Sequence, residues 1–536
     1  MSLEKILSQS HISRNIISNI DSLVDISNLF DTSPFIYNDL ANITIKKDIS
    51  VSSNSLLIFQ VPIEYGVQID LNKIRMNFED KYGTIEEIYE HLTSLKNKFE
   101  HVNTIEIEVD DFNHQVELPI LDQYFTKFAL FIDDLFDLCP NADTLHIEST
   151  NIFQLSIIKK LKSSKIRVIK NSFSSSSEIN TNFIYDPNEC IVENLKGLEE
   201  YYFCLDEIDF YSKPKHVQIF SGVVKYLGEQ KKGKINIDGS ISTRRFKLFE
   251  KFIKIVQRYN VDIGLSINFY SNELLLKKYK GKILNDERFV LKNVTEFDVY
   301  ICNFCIFKTF LDTLPCFKYL KVIRILVGET LIQHMMDHGT IFSEEFKLKL
   351  SSNFKNIQEV YLKFFTYYPE NKKEQSILNV NETANHFLSC LGEQVKLLYL
   401  EGIPNMDNKM AKIISKKCPN LEDIGLSPFD TIDINFFENM KKLKTIYFND
   451  CYEINIPLHV EMVISDCLMY DENATICNMN AKESFNFFKS MFKRSFRNCI
   501  RNCDRGRLIY NILFDKMVSW NVYLKKLSKY TKINEL

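Results

Sequence analysis

Three short patterns in this 536-residue chain contain residue types that can perform chemistry. The first, Gly228-Glu229-Gln230-Lys231-Lys232-Gly233-Lys234, fits G-x-x-x-x-G-K, a loop whose amides and lysine bind phosphates in nucleotide-binding proteins. Residue 235 is Ile instead of the magnesium-binding Ser or Thr, and Asn236-Ile237 is typical of a strand where that loop requires a helix. We therefore interpret the segment as a charged hairpin turn and predict no bound nucleotide.

The other two patterns concern metal ligands. His334 and His338 are spaced i, i+4, which on a helix can bind zinc, but the metalloprotease Glu after the first His is missing and no third ligand pattern follows. Cys302 and Cys305 form C-x-x-C without a second pair at a zinc-like distance. We interpret the histidines as solvent-exposed and the cysteines as buried packing residues, and predict no metal site.

Catalytic patterns are otherwise missing from the sequence. It contains no Gly-x-Ser-x-Gly elbow, and its 15 glycines leave few positions for phosphate or oxyanion loops. We therefore predict a protein that is not an enzyme and carries no cofactor.

The predicted helices and strands follow a repeating sequence pattern. After a helix end at Cys418-Pro419-Asn420, apolar residues occur at Leu421, Ile424 and Leu426, and the same L-x-x-L-x-L spacing begins again at Leu443. Such a unit cannot bury its own apolar face, so neighbouring units must stack and expose a strand surface suited to binding.

Helix and short strand alternate along much of the chain. Thr84-Ile85-Glu86-Glu87 is a capping box that opens a helix, and Asn171–Glu178 is polar enough to predict a surface loop. Strands are predicted around residues 102–107, 145–147, 217–219, 235–237, 297–299, 323–325, 360–362 and 398–400. The spacing is irregular, which indicates degenerate repeats or insertions.

The predicted fold class is therefore α/β, an irregular leucine-rich-repeat solenoid (horseshoe) with a small helical module in front and a helical cap behind. The predicted domains are residues 1–50, a helical module; 51–470, the solenoid; and 471–536, a basic amphipathic helical segment. In the last, Phe485, Phe488, Phe492, Phe496, Cys499 and Cys503 trace one helical stripe.

Composition limits the setting in which the protein works. The 13 cysteines are an odd number scattered through a chain without a secretory signal, which favours reduced thiols in the cytoplasm or nucleus. No segment approaches membrane-spanning length. Residues 482–536 hold 13 Lys/Arg against 4 Asp/Glu, a net charge of +9, which leaves −13 for the rest of the chain.

The basic tail admits two interpretations. Arg494, Arg497, Arg501, Arg505 and Arg507 could contact phosphates or an acidic partner. A solvated face of a cap is favoured, because the phenylalanine stripe requires a core. Nucleic acid is therefore not the expected partner.

The N-terminal residues carry a family resemblance. Ile16, Ile17, Ile20 and Leu23 form an apolar helix, and Asp25-Ile26 opens a second helix that Leu29 continues. This pattern resembles an F-box, the three-helix module found ahead of leucine-rich repeats. His11-Ile12 replaces the usual Leu-Pro opening, and Phe35 takes the place of the closing aromatic residue.

This resemblance to the F-box/leucine-rich-repeat proteins implies a non-catalytic substrate-recognition adaptor. In that family the F-box binds the Skp subunit of a Skp-cullin-F-box ubiquitin ligase, and the repeats bind the protein substrate. The residues implied in adaptor binding are Ile12, Ile16, Ile17, Ile20, Leu23, Ile26, Leu29 and Phe35. Two alternatives stay open: the N-terminal helices cap a repeat array, and the chain is an interaction scaffold without a ligase.

Strand alternation predicts where a partner binds. In each L-x-x-L-x-L strand the residue between the last two apolar positions points to the concave face. Those residues are Glu106, His146, Gln218, Asn236, Asp298, Arg324, Tyr361, Tyr399, Gly425 and Tyr447. Since tyrosine is common at binding hot spots, we predict partner binding by Tyr361, Tyr399 and Tyr447, with Glu401 and Asn449 beside them.

Overall fold

The computed structural model describes residues 12, 16, 46–48, 55–60, 73–76, 81–96, 99, 102–109, 118–149, 153–173, 189–204, 214–230, 233–240, 243–268, 294–337, 344–365, 373–449, 452–468, 481–494, 496, 498–503 and 508–514. These residues form a mixed α/β fold whose strands are largely parallel, as the alternation of helix and strand predicts. None of the described helices combines the length and apolar character needed to cross a bilayer.

The described strands are β1 (Lys46–Asp48), β2 (Ser55–Gln60), β3 (Lys73–Met76), β4 (Lys81–Thr84), β5 (Thr104–Val109), β6 (Thr144–Ser149), β7 (Val168–Phe173), β8 (Glu200–Cys204), β9 (Lys234–Ser240), β10 (Asp262–Asn268), β11 (Val294–Ile301), β12 (Val322–Gly328), β13 (Glu359–Phe365), β14 (Leu397–Met406), β15 (Asp423–Ile432), β16 (Thr445–Phe448), β17 (Met462–Leu468), β18 (Asn498–Cys503) and β19 (Leu508–Phe514).

The described helices are α1 (Ile85–Ser94), α2 (Leu118–Leu138), α3 (Phe153–Lys160), α4 (Pro214–Glu229), α5 (Thr243–Arg258), α6 (Phe304–Thr313), α7 (Glu329–Asp337), α8 (Glu344–Asn353), α9 (Lys373–Ser389), α10 (Asn408–Lys417) and α11 (Ala481–Met491). The chain divides into two compact units. The middle unit contains residues 53–300 and 312–320, and the terminal unit contains residues 1–52, 301–311 and 321–536.

In the middle unit the strands pair in the order β4-β3-β2-β5-β6-β7-β8-β9-β10-β11. The pairs β4–β3 and β3–β2 are antiparallel, and all the others are parallel. Helix α1 begins at the predicted capping box: the Thr84 amide donates to Glu87 at 2.9 Å and the Glu87 amide donates to the Thr84 hydroxyl at 3.2 Å.

In the terminal unit the order is β12-β13-β14-β15-β16-β17-β19-β18-β1. Strands β12 to β17 are parallel, whereas β19 is antiparallel to both β17 and β18. Helices α9 and α10 connect β13 to β14 and β14 to β15, and turns without a described helix connect β15 to β16.

The core of the terminal unit lies on the face of the sheet that the repeat pattern predicts. Leu398, Leu400, Ile424 and Leu426 are completely buried, because alternate strand residues share one face. Helix α10 contributes Met410, Ala411 and Ile414 to its buried face. Its first turn is capped by Asp407, which accepts a hydrogen bond from the Met410 amide at 2.8 Å.

Several sequence predictions require correction. Residues 217–219, predicted as a strand, lie inside helix α4, because their apolar alternation also fits the buried face of a longer helix. Asn171–Phe173, predicted to open a loop, is the end of strand β7, and Asn171 is buried. Its amide nitrogen donates to the Tyr201 hydroxyl at 3.3 Å, so a buried partner satisfies the polar side chain.

The C-terminal segment also differs from its prediction. The helix that contains Phe485 and Phe488 ends at Met491, and Lys493 has a φ of 48°, which does not continue an α-helix. Cys499 and Cys503 lie on strand β18, not on the predicted helical stripe. The apolar residues of the stripe are still largely buried, with Phe492 and Phe496 in the core.

Candidate functional site

The predicted row of side chains exists in the terminal unit. Arg324, Tyr361, Tyr399, Gly425 and Tyr447 are direct cross-strand neighbours from β12 to β16. Parallel pairing without a shift between these residues places their side chains on one face of the sheet. We call these five residues the tyrosine row.

The three tyrosines are buried, which corrects the expectation of an exposed contact surface. The exposed fractions are 6% for Tyr361, 3% for Tyr399 and 1% for Tyr447. The ring centroids of Tyr361 and Tyr399 are 6.4 Å apart, and an added Cβ on Gly425 would overlap the Tyr399 ring. Alternation gives the side of the sheet correctly, but large rings on strands about 4.8 Å apart cover one another.

Charged side chains lie beside the tyrosines of the row. The Arg324 guanidinium carbon lies 5.1 Å from the centre of the Tyr361 ring, and the Tyr361 hydroxyl donates to Glu359 at 3.3 Å. Burial raises the pKa of Tyr447 well above 10, and the negative charge of Asp423 raises it further. Tyr447 therefore stays protonated at neutral pH.

Accessible side chains lie one or two rows further along the strands, toward their carboxyl ends. We call Lys363, Phe365, Glu401, Ser427 and Asn449 the carboxyl-end row. The Lys363 ammonium is 2.9 Å from Glu401, and these side chains are 21% and 22% exposed. Phe365 is 45% exposed, with the Lys363 ammonium 5.2 Å from its ring centre. Ser427 pairs with Glu401 across the strands, and Asn449, half-buried, follows the last residue of β16.

The geometry thus separates the five residues predicted to bind a partner. Glu401 and Asn449 are half-buried in the carboxyl-end row, whereas the three tyrosines are buried. The sequence analysis missed Lys363 and Phe365. Continuing the alternation by two and four residues from Tyr361 would have found them.

Strand β14 changes its conformation next to the carboxyl-end row. Gly402 has a φ of 73°, and the pairing of β14 with β15 shifts register between Glu401 and Ile403. A side chain at residue 402 would overlap the Phe364 carbonyl oxygen. Glycine is therefore required here, and the bulge ends the regular side-chain alternation along β14 after Glu401.

The equivalent row of the middle unit is polar. Glu106 and His146 are cross-strand neighbours as predicted, but Gln218 lies on helix α4 and the row continues through Lys170, Tyr202 and Asn236. A shift between Ile263 and Gly264 places Glu296 in the row instead of Asp298.

An ion-pair cluster lies on this face of the middle unit. The Lys234 ammonium is 2.6 Å from Glu296 and 3.9 Å from Glu200, and Asn236 donates to Glu200 at 3.0 Å. The Lys234 side chain is 17% exposed, so carboxylates compensate its partly desolvated charge. The cluster fixes neighbouring strands to one another.

The phosphate-loop-like segment connects helix α4 to strand β9. A phosphate loop runs from a strand to a helix, so the order is reversed; the predicted hairpin is also wrong, because only one of the flanking elements is a strand. Gly233 packs against the Leu227 carbonyl oxygen, which leaves no space for a side chain.

The possible metal ligands are not assembled into a site in the described part of the chain. His334 is half-buried and stacks on Phe304 with ring centres 4.8 Å apart, and His338 lies outside the described residues. Cys302 and Cys305 are half-buried thiols that form no disulfide within the described residues. Among the described residues, no group of three or more His, Cys, Asp or Glu side chains could hold a metal ion.

Of the residues implied in Skp binding, Ile12 and Ile16 are helical and half-buried. Ile17, Ile20, Leu23, Ile26, Leu29 and Phe35 lie outside the described residues.

Arg494 differs from the expectation of a solvated basic face. Its guanidinium donates to the carbonyl oxygens of Pro457 and Val460, the latter at 2.9 Å, and stacks on Phe496 at 4.4 Å. With 7% of its surface exposed, this arginine joins the C-terminal segment to the core. Arg497, Arg505 and Arg507 lie outside the described residues, and Arg501 is on β18.

Comparison with known proteins identifies a family without a described activity. A family model described as "Domain of unknown function (DUF8346)" matches residues 52–527. No curated protein matches the chain.

Proposed function

The chain belongs to this family of unknown function, and from that premise we propose that it is a non-catalytic adaptor of a Skp-cullin-F-box ubiquitin ligase. In this proposal residues 1–50 bind a Skp-type adaptor, and through it the cullin ligase. Residues 51–470 form an irregular leucine-rich solenoid that binds a protein substrate, in the cytoplasm or the nucleus.

The observation that carries the proposal is the repeated register of β12 to β16. The same strand positions supply buried apolar residues, and the same intervening positions supply the tyrosine row, over five strands. Such repetition favours a stacked repeat array, whose common use is protein binding on the strand face. The F-box resemblance of residues 12–35 adds the connection to a ligase.

The accessible part of the strand face suits a protein partner. The carboxyl-end row offers an aromatic ring, an ion pair and two small polar side chains within neighbouring strands. Binding hot spots combine a large apolar contact with polar groups that fix orientation. The buried tyrosine row then acts as a rigid support beside the contact surface, on the same face of the sheet.

The alternative is a protein-interaction scaffold without a ligase connection. Both functions use the same strand face, so only the N-terminal residues discriminate between them. A scaffold requires no Skp binding by residues 1–50.

The first experiment measures binding of purified Skp adaptor to the full-length protein and to a variant with Ile16→Asp and Ile20→Asp. A matched control carries Leu348→Asp and Leu378→Asp, two leucines of the terminal unit that are 69% and 51% exposed. Circular dichroism first establishes that all three proteins are folded.

We expect the wild type and the leucine control to bind Skp and the isoleucine variant to lose binding. Absence of binding by the folded wild type would reject the ligase adaptor and leave the scaffold. Equal binding by all three proteins would show that this helix is not the contact surface.

The second experiment concerns the strand face. With a partner whose direct binding to the wild type has been established, we expect Phe365→Ala to weaken binding about tenfold or more, as for an aromatic hot spot. Leu458→Ala is the control, because Leu458 is 87% exposed and does not belong to the row. Equal affinities of the two variants would place the partner elsewhere.

A further inference from the structure

A second charged surface lies at the other end of the strands of the terminal unit. Six exposed lysines are found where helices or turns lead into the strands; we call Lys321, Lys396, Lys416, Lys441, Lys442 and Lys444 the lysine rim. Lys321, Lys396 and Lys444 each come directly before a strand, β12, β14 and β16 respectively.

Backbone hydrogen bonds bring these connections together. The Lys396 amide donates to the Gln358 carbonyl oxygen and the Lys444 amide donates to the Glu422 carbonyl oxygen, at 2.8 and 2.7 Å. The Glu422 amide in turn donates to the Lys396 carbonyl oxygen at 2.8 Å. The residues before successive strands therefore form one continuous edge.

Two side-chain contacts place the remaining lysines at the same edge. Asn408, at the start of α10, donates to Asp433 at 2.7 Å. Lys442 donates to Asn420, three residues beyond the end of α10, at 2.6 Å. The segment from Asp433 to Lys442 therefore runs alongside α10 from its first residue to its end. Lys441 and Lys442 thus lie near the helix end that carries Lys416.

The rim has an excess of positive charge. The acidic residues in the same connections and at the strand starts are Glu359, Glu393, Glu422, Asp423, Glu438 and Glu461, and Glu422 pairs with Lys444 at 2.8 Å. Lys318, Lys355 and Lys417 lie beside the six rim lysines, so lysines outnumber these acidic residues. Lys396, Lys416 and Lys441 form no ion pair with a described residue. Lys416 lies in the last turn of α10, where a positive charge stabilises the negative end of the helix dipole. Lys321 and Lys444, on the turns before β12 and β16, lie outside the range of that dipole.

We propose that the lysine rim binds an acidic protein segment. The rim is a separate surface from the carboxyl-end row, and this proposal does not depend on the proposed ligase function. Lys321, Lys396 and Lys444 precede every second strand and are thus about 9.6 Å apart. Every third residue of an extended peptide repeats at about 10 Å. An acidic segment crossing the strand ends can therefore place carboxylates beside successive lysines.

The chemistry of the rim favours a peptide over nucleic acid. The rim consists of lysines and contains none of the arginines that recognise phosphates bidentately. Tyr319, 61% exposed beside Lys321, is a single ring, whereas binding of a single-stranded nucleic acid uses several rings on which successive bases stack. The chain outside its last 55 residues also carries a net charge of −13, which repels a long polyanion more than it repels a short acidic peptide.

The test measures binding of a fluorescent twelve-residue polyglutamate peptide to full-length protein by anisotropy at low salt. The rim variant carries Lys321→Gln, Lys396→Gln, Lys442→Gln and Lys444→Gln. The control variant removes the same charge at four exposed lysines of the middle unit, with Lys96→Gln, Lys196→Gln, Lys225→Gln and Lys251→Gln. Circular dichroism and thermal melting establish that each protein is folded.

We expect the rim variant to bind about tenfold more weakly than the wild type, because several modest ion pairs are lost together. The control variant should stay within about twofold of the wild type, since its lysines are outside the rim. Binding should weaken as salt is raised in the wild type and change less in the rim variant.

Three outcomes would overturn the proposal. One is equal weakening in both variants, which would indicate only a general charge effect. Another is no detectable binding of polyglutamate to the folded wild type at low salt. The third is tighter binding of a twelve-residue oligothymidylate than of polyglutamate, with the same loss in the rim variant, which would assign the rim to nucleic acid.

Discussion

At the scale of single residues, burial determines the chemistry of the tyrosine row. Tyr447 is almost completely enclosed and lies near the negative charges of Asp423 and Glu359, so its neutral form is favoured. Because Gly425 has no side chain, the Tyr399 ring packs over its backbone, where a Cβ atom would overlap the ring. The tyrosines are buried packing groups with polar ends, and partner binding by them stays a prediction.

The raised pKa of Tyr447 predicts a loss of stability in alkali. Below pH 10 the hydroxyl is protonated in both the folded and the unfolded protein, so the contribution of Tyr447 to the free energy of unfolding is fully present. Above pH 10 only the unfolded chain ionises at this residue, and folding should lose about 1.4 kcal/mol per pH unit until the folded pKa is reached. Urea unfolding between pH 9 and 11.5 should show a shallower decline for Tyr447→Phe than for the wild type.

Tyr319→Phe is the control for this measurement, because Tyr319 is 61% exposed. Its pH dependence should match that of the wild type. Identical slopes for the Tyr447 and Tyr319 variants would contradict the account of Tyr447.

The thiols of Cys139 and Cys418 should be unreactive in the folded protein. Burial raises the pKa of each to about 12, so at pH 8 only about one molecule in ten thousand carries the thiolate that reacts. Iodoacetamide labelling followed by mass spectrometry should modify both sites only after denaturation. The half-buried Cys302 provides an internal comparison; native labelling of Cys418 faster than Cys302 would contradict the prediction.

At the scale of elements, local sequence signals set where helices begin and how repeats are joined. Asp407 caps α10, and Cys418, directly after that helix, donates its amide to the Ile414 carbonyl oxygen at 2.8 Å. Asn420 then donates to the Glu393 carbonyl oxygen at 2.9 Å. The Cys-Pro-Asn-Leu sequence therefore ends one helix and ties its turn to the preceding connection.

The capping box of α1 gives a direct stability prediction. Thr84→Ala removes the hydroxyl that accepts from the Glu87 amide and should cost about 1 kcal/mol. Thr93→Ala, at an exposed position on the same helix, is the matched control and should change stability little, since alanine is the best helix former. Chemical denaturation monitored by circular dichroism measures both; a Thr84 variant as stable as the Thr93 variant would argue against the cap.

At the scale of the whole molecule, the terminal unit joins the two ends of the chain. Strand β1, from the first 50 residues, pairs in parallel with β18, and β19 lies between β18 and β17. The parallel run from β12 to β17 is thus followed by strands of changed direction, which pair the otherwise open edge of β17.

This closure predicts that β19 is essential to the terminal unit. Ile512 is completely buried and pairs with Ile464 of β17 and Ile500 of β18. Ile512→Asp should cost about 3–5 kcal/mol, because it buries a charge without a partner. Leu458→Asp, at a position 87% exposed, should leave the unfolding midpoint unchanged. Similar midpoints for the two variants would mean that β19 is not part of the cooperative structure.

The sequence alone predicts the alternation of helix and strand, the capping box at Thr84 and the in-register residues of β12 to β16. Each depends on interactions over a few residues: apolar spacing, a cap, or the two-residue period of a strand. The same local period fails for residues 217–219, where a helix also accommodates the apolar pattern, and beyond Phe492, where the phenylalanines suggest a continuing helix. The Skp-binding and substrate-binding assignments stay predictions.

Only the tertiary structure determines which side chains on the strand face remain accessible. Alternation specifies the face of a residue but not how far a ring on the next strand extends over it, so the sequence cannot show that Tyr399 covers Gly425 and that Lys363 and Glu401 remain accessible. Pairing of β1 with β18 joins residues more than 450 positions apart. Such contacts depend on packing between distant segments, whereas local periodicity depends only on neighbours along the chain.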